Sequence, residues 1–343
     1  MARFVRTGLV FAVVAAIVYF CGGTLFPQRR AGSTRIVVYG FSIVSEALRE
    51  DIFPLFRDQW RSEHGGDIEF IDSYAGSGTI ANQIVNGAPA DVAILSHPGD
   101  AERVARARST RDWRAGEHGG IVNRTPIAIA VRKGNPKGIQ TFGDLGRAGI
   151  RVVHPDPLTS GGAQWAVLAE YAEPILRDRA TGRPPSTETA AAQLAAIWRN
   201  VVAQAPSARA ARTQFDQDFG DALVTYEVEL LLDRARGTSP VDTVVPAFTI
   251  LCEHPVVILD RNIDPAKLPV VEAFVKFLAS PKAQRAFVRH GFRSIDPALD
   301  AANPGLARLD HPCTIADLGG WDEAQREIIE DAWKGHALAE ARK

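Results

Sequence analysis

Short apolar runs alternate with amphipathic stretches along most of the chain. Ile36-Val37-Val38-Tyr39-Gly40 reads as a strand, and Ser42 to Arg61 as a helix with Ala47, Leu48, Ile52, Phe56 and Trp60 on its apolar side, ended by Gly65-Gly66. Ile68 to Ile71 is the next strand; an amphipathic run with Ile80, Ile84 and Val85 follows, then the strand Val92-Ala93-Ile94-Leu95. This β-α-β alternation predicts a parallel sheet covered on both faces.

A second series begins at the strand Ile127 to Val131 and the turn Gly134-Asn135-Pro136. It contains Arg151-Val152-Val153, a helix near Ala190 to Asn200 and the strand Ala222 to Tyr226, with a surface loop expected over Asp178 to Thr189. His254 to Leu259 resumes an apolar strand, Leu268 to Leu278 and Ala283 to Phe292 are helical with Pro281 between them, and a final helix is expected from about Trp321 to Ala339. That end is expected to pack back on the first lobe, with crossovers near residues 124 and 249. The expected division is one lobe of 35–123 with 250–343 and a second of 124–249, joined by a two-crossover hinge.

Two turns carry candidate chemistry. Thr159-Ser160-Gly161-Gly162-Ala163 joins a strand to a helix, and Ser73-Tyr74-Ala75-Gly76-Ser77-Gly78-Thr79 repeats that arrangement in the first lobe. Small residues leave backbone N–H groups bare at a helix N-terminus, where an oxyanion is held without a cationic side chain. Capping explains either turn alone; together they point to a site made by two facing lobes.

Residues 1–34 form a signal peptide or an N-terminal membrane anchor: Arg3 and Arg6 precede about twenty uncharged residues from Thr7 to Phe26, long enough to span a bilayer. Either way the remainder is exported, giving a periplasmic or extracytoplasmic protein, held at the inner membrane by its N-terminal segment if the leader stays. The 343 residues are 46% apolar and 23% charged with a net charge of −1, which fits a globular two-domain chain and offers no field for nucleic acid. Cys252 and Cys313 are the pair outside the leader and form either one disulfide or two buried thiols. The eight histidines show no H-E-x-x-H spacing, and no G-x-S-x-G elbow is present, so neither a metal, a cofactor nor catalysis is expected.

Six segments resemble bacterial periplasmic sulfate- and thiosulfate-binding proteins in order and approximate spacing: Ala75-Gly76-Ser77-Gly78, Val131 to Lys137, Pro155 to Trp165, Ser207-Ala208-Arg209, Gly220 to Leu223 and Gly319-Gly320-Trp321. The resemblance runs from about residue 35 to the last helix. It implies an α/β, two-lobed type II periplasmic binding protein fold that closes over one anion, and a monomer that delivers sulfate or a related tetrahedral oxyanion to an ABC transporter permease. Carried over by position, it implies backbone donors at Ser77, Gly161, Gly162 and Ala208, the hydroxyl of Ser160, and a donor from Phe41 or Ser42. Tyr226 stands where the family places an indole donor. The family's first turn, Tyr-Asp-Pro-Thr-Arg-Glu, is replaced here by Tyr39-Gly40-Phe41-Ser42-Ile43-Val44-Ser45-Glu46. Glu227 is read as the first residue of a helix, where a carboxylate suits the dipole.

Rival readings are a molybdate- or tungstate-binding protein, a membrane-anchored anion sensor, and an exported hydrolase using Ser77 or Ser160. No histidine or lysine has a spacing that marks it as the base the hydrolase needs.

Overall fold

The computed structural model describes residues 33–235, 237 and 240–341. In chain order these form β1 (Ser33–Phe41), α1 (Phe53–His64), β2 (Asp67–Ala75), α2 (Ser77–Val85), β3 (Val92–Ile94), α3 (Pro98–Arg108), β4 (Ile121–Arg132) and β5 (Val152–Pro155). They continue as α4 (Gly161–Ala180), α5 (Thr187–Arg199), β6 (Val201–Ala205), α6 (Ala208–Asp216), β7 (Ala222–Tyr226), α7 (Glu227–Ala235), β8 (Val241–Val244), β9 (Phe248–Ile258), α8 (Leu268–Leu278), α9 (Pro281–Arg289), α10 (Pro297–Ala301) and β10 (His311–Cys313). Helical segments Trp321–Ala324, Gln325–Ala337 and Leu338–Ala341 follow.

The strands pair in the order β2-β1-β3-β9-β4-β7-β5-β6, with β10 beside β9 and β8 beside β4. β1 is parallel to β2 and β3, and β5 is parallel to β6 and β7. The two long strands join these halves. β4 pairs antiparallel with β9 through Ile121 to Pro126, then with β7 and β8 from Ile127 onward, while β9 continues to pair with β3 through Val256 to Ile258. A strand that serves both halves is buried on both faces, and β4 is apolar and buried over Ile127 to Val131. Two lobes therefore share a pair of through-going strands.

The Arg-Lys-Gly-Asn-Pro stretch serves the second lobe structurally. The Arg132 guanidinium donates to the carbonyls of Phe215, Phe219 and Gly220 and lies 3.8 Å from the Phe215 ring centroid. Lys133 and the Gly134 amide both meet Asp242.

Several expectations change. Helix α4 runs on to Ala180, with Arg177 and Arg179 in its last turn where cations favour the carbonyl end, and Ser186 caps α5, so the surface loop shrinks to 181–186. The C-terminal segments do not pack only on the first lobe. Trp333 meets Trp198 of α5 at 5.1 Å, and Trp321 stacks on His97 of the first lobe at 4.1 Å and lies edge-on to Trp165 of the second at 5.2 Å. The end of the chain thus straddles both lobes. Cys252 and Cys313 are free, buried thiols, and burial pushes Cys313 up to about 12.

The transmembrane helix and the membrane partner are corrected. The stretch Thr7 to Phe26 lies outside the described residues, and among the described residues no helix is long and apolar enough to cross a membrane. The 20-residue α4 reaches the length but carries Glu170, Glu173, Arg177, Asp178 and Arg179.

Candidate binding cleft

The C-terminal ends of β1, β2, β3, β5, β6 and β7 lead into Phe41, Ser77, Ser96, Ser160, Ala208 and Tyr226, the edge of an α/β sheet where ligands are held. Three of the turns meet at Gly76. A Cβ there would stand 2.4 Å from the Thr159 carbonyl oxygen and 2.5 Å from that of Pro206, so no side chain fits. Ser77, Ser160 and Ser207 are each next in sequence to one of these three residues. The N-termini of α2, α4 and α6 are thereby brought to one place from both lobes, each with leading amides that have no partner inside its own helix.

The side chains at this place divide into those already engaged and those left free. The Ser77 hydroxyl donates to Asp100 at 2.7 Å and accepts from the Ser96 amide at 3.0 Å, which leaves only its backbone N–H for a ligand. Ser207 accepts from the Ala210 amide at 3.1 Å and leaves the Ala208 amide beyond it. Ser160 is buried at the N-terminus of α4 and makes no side-chain capping bond. Gly161 is held against the other lobe and Gly162 against its own: a Cβ on Gly161 would stand 1.9 Å from Ser96 Oγ, and one on Gly162 would stand 2.8 to 3.0 Å from the Tyr226 ring and hydroxyl. Neither position admits alanine unless these side chains give way.

Tyr226 is 1% exposed, and its hydroxyl meets the hydroxyl of Ser96. Burial raises its pKa well above that of an ordinary phenol, so it remains a donor. Phe41, also buried, contributes a ring, 6.3 Å from that of Tyr226 and 4.5 Å from that of His254. Ser42 is half-buried, and its carbonyl accepts from the Ser45 hydroxyl at 2.9 Å. All eight residues expected from the sequence lie around this meeting point or on the turns that frame it. Glu227 does open α7, but it also faces away into a buried pair with Arg293, with contacts of 2.8 to 3.0 Å, and burial raises its carboxyl against the pull of that guanidinium.

Sequence reasoning missed a further wall made by Ser96, His97 and His254. His97 Nδ1 accepts from the Asp100 amide at 3.1 Å, and its Nε2 lies 3.0 Å from Asp100 Oδ2. Burial would raise the Asp100 carboxyl, but His97 and the Ser77 hydroxyl bring it below its usual value. His254 Nδ1 lies 2.5 Å from Asn123 Oδ1 on the neighbouring strand, and burial lowers the ring to about 3, keeping it neutral. The available signal was position alone, since Ser96-His97 follows β3 as Ser77 follows β2.

Hydrogen bonds and an ion pair cross the cleft among the described residues. Trp165 Nε1 donates to the Ser96 carbonyl at 2.5 Å, the Thr79 amide donates to the Thr159 carbonyl at 3.4 Å, and Arg209 grips Glu46. The last is a fork, with Nη1 to Oε1 at 2.5 Å and Nη2 to Oε2 at 3.1 Å, while Arg209 Nε reaches Glu229 at 2.6 Å. Desolvation acts against both ions, yet their mutual attraction lowers the Glu46 carboxyl and raises the Arg209 guanidinium.

Residues 40–293 match a family model described as bacterial extracellular solute-binding protein. The chain is 34% identical over 297 residues to the sulfate-binding protein of Synechococcus elongatus, covering 84% of this chain and 82% of that protein. It is 30% identical over 295 residues to the thiosulfate-binding protein of Escherichia coli, covering 82% and 85% respectively. Among solved structures, the sulfate-binding protein SubI of Mycobacterium tuberculosis matches with a TM-score of 0.76 and 30% identity, over 86% of this chain and 99% of that one.

Proposed function

The chain belongs to the bacterial extracellular solute-binding proteins, in the group of the sulfate- and thiosulfate-binding proteins, and from that membership we propose that it captures sulfate or thiosulfate outside the cytoplasm and delivers it to an ABC transporter. The observation that carries this reading is the meeting of three helix N-termini from two lobes beside buried hydroxyls. The hinge, on this reading, is the β4–β9 pair: 35–123 with most of the chain after 250 forms one lobe, 124–249 the other, and the last helical segments lie across both.

Sulfate offers acceptors only, so a site lined by amide and hydroxyl donors satisfies every oxygen. The donors we assign are the amides of Ser77, Gly161, Gly162 and Ala208, an amide at Phe41 or Ser42, and the hydroxyls of Ser160 and Tyr226. Stripping water from a dianion is costly. Charge-assisted hydrogen bonds at about 1.5 to 3 kcal/mol net each, with helix dipole ends behind them, offset it. Micromolar binding needs a surplus of about 8 kcal/mol, which a handful of such bonds supplies.

The test is calorimetric titration of the purified protein, freed of bound anion, with sulfate, thiosulfate and molybdate in chloride buffer. One-to-one binding of sulfate or thiosulfate ahead of molybdate is expected. Binding of molybdate alone, or of none of the three, overturns the proposal.

A further inference from the structure

Trp321 opens the last helical segments and lies where the two lobes meet, outside the turns assigned to the anion. Its indole stacks on the His97 ring of the first lobe, with centroids 4.1 Å apart and planes at 12°, and stands edge-on to Trp165 of the second at 5.2 Å. Trp165 gives the hydrogen bond that crosses the cleft to the Ser96 carbonyl, and His97 follows Ser96 in the chain, so Trp321 touches both ends of that bond. His97 in turn is paired with Asp100, which accepts from the Ser77 hydroxyl; the ring beneath Trp321 thus belongs to the network that fixes the Ser77 turn. The fit on the first lobe is close. A Cβ on Gly99, in the first turn of α3, would stand 1.8 Å from Trp321 Nε1 and 2.5 Å from its Cδ1. The body of the segment sits on the second lobe: 325–337 packs on α4 and α5, and Trp333, 1% exposed, meets Trp198 at 5.1 Å.

A side chain anchored in this way travels with the second lobe when the cleft opens and leaves His97 and Gly99 behind. We propose that Trp321 is a positioning residue for the bound anion: it holds the loaded cleft shut by bridging His97 and Trp165, and it shelters the hydrogen bond between Trp165 and Ser96 from water. The inference rests on the reading that the cleft closes over sulfate or thiosulfate. Aromatic pairs attract beyond the area they bury, and a hydrogen bond is stronger where water is kept out. Loss of the contacts to both rings corresponds to binding about tenfold weaker. Because the contacts to the first lobe form on closing, the loss falls on the dissociation rate.

The test is calorimetry and stopped-flow displacement of sulfate and of thiosulfate from the wild type, Trp321→Ala, Trp321→Phe, Gly99→Ala and the Gly99→Ala/Trp321→Ala double variant. Alanine suits a helix better than glycine, so Gly99→Ala unseats the indole while leaving every tryptophan and His97 in place. Trp321→Ala and Gly99→Ala should each release the anion about tenfold faster at a wild-type association rate, Trp321→Phe should lie between them and the wild type, and the double variant should be no faster than either single one. Losses that add in the double variant overturn the proposal. A merely structural role would lower the melting temperature of the anion-free variants and leave the dissociation rate where it was, and that result overturns it too. Gly99→Ala supplies the reading on its own if Trp321→Ala does not fold. A wild type that binds neither anion refutes instead the functional reading beneath it.

Discussion

Replacing Glu46 by Gln removes the charge of the one carboxylate by which the first lobe grips Arg209 of the second. The residues are 163 apart in sequence, and the fork can exist only when the lobes are shut, because opening the cleft separates its two ends. The Glu46 side chain is 14% exposed and that of Arg209 34%, so the pair lies between two regimes. Exposed ion pairs contribute about 0.2 to 1 kcal/mol and hydrogen bonds to charged groups about 1.5 to 3. A loss of about 1 kcal/mol follows, or roughly fivefold weaker sulfate binding. Because the fork forms after the ligand is enclosed, the loss should fall on the dissociation rate, read by stopped-flow displacement alongside calorimetry. The pH sign is fixed by the lowered Glu46 carboxyl. Its contribution is fully present above the ordinary value of 4.5 and is lost as pH falls through the lowered value, so Glu46→Gln should bind with the same affinity at neutral and mildly acid pH while the wild type weakens towards it only in stronger acid. Equal affinity and dissociation rate in the two proteins at neutral pH and low salt would refute the reasoning.

Ser160→Ala should weaken sulfate binding by at least about tenfold, the loss of one hydrogen bond to a charged group, and calorimetry that finds no change removes Ser160 from the site. Tyr226→Trp, which the family resemblance alone would make neutral, should instead weaken binding by about tenfold or more. The larger ring must enter a wall already 2.8 Å from the Gly162 Cβ position, and overpacking of this kind costs about 1 to 3 kcal/mol; full affinity in the variant would show that the wall yields. His254 stays neutral in the fold down to about 3, whereas the unfolded chain protonates it below about 6.5, so stability should fall with pH between those values by about 1.4 kcal/mol per unit from this residue. Denaturant titrations across that range should show a flatter acid limb for His254→Gln, and identical pH slopes for the two proteins would contradict the assignment.

The parts of this site that were legible in the sequence are those written in local chemistry. A strand that ends in a small-residue turn and opens a helix announces unpartnered amides wherever it occurs, so Ser77, Gly161 and Gly162 could be named before the lobes were seen to meet. Ser96 carries the same local signal but follows a strand of only three residues, and Ser-His-Pro-Gly reads as an ordinary helix entry, with His97 indeed capping α3. What distinguishes Ser96 from Ser77 is that the Ser77 hydroxyl is consumed by Asp100 and the Ser96 hydroxyl meets Tyr226, and that is settled by packing between elements far apart in the chain. The C-terminal segments teach the same lesson on a larger scale. The apolar face formed by Ile328, Ile329 and Trp333 shows that this helix is buried somewhere, but a periodicity cannot say against which lobe. The answer lay in two distant aromatic residues, Trp198 and Trp165, and in Gly99, where any side chain would collide with the Trp321 indole. Because Trp321 touches His97 of one lobe and Trp165 of the other, the end of the chain must give way or slide whenever the cleft opens, and the energy of closure belongs in part to a segment far from the anion in sequence.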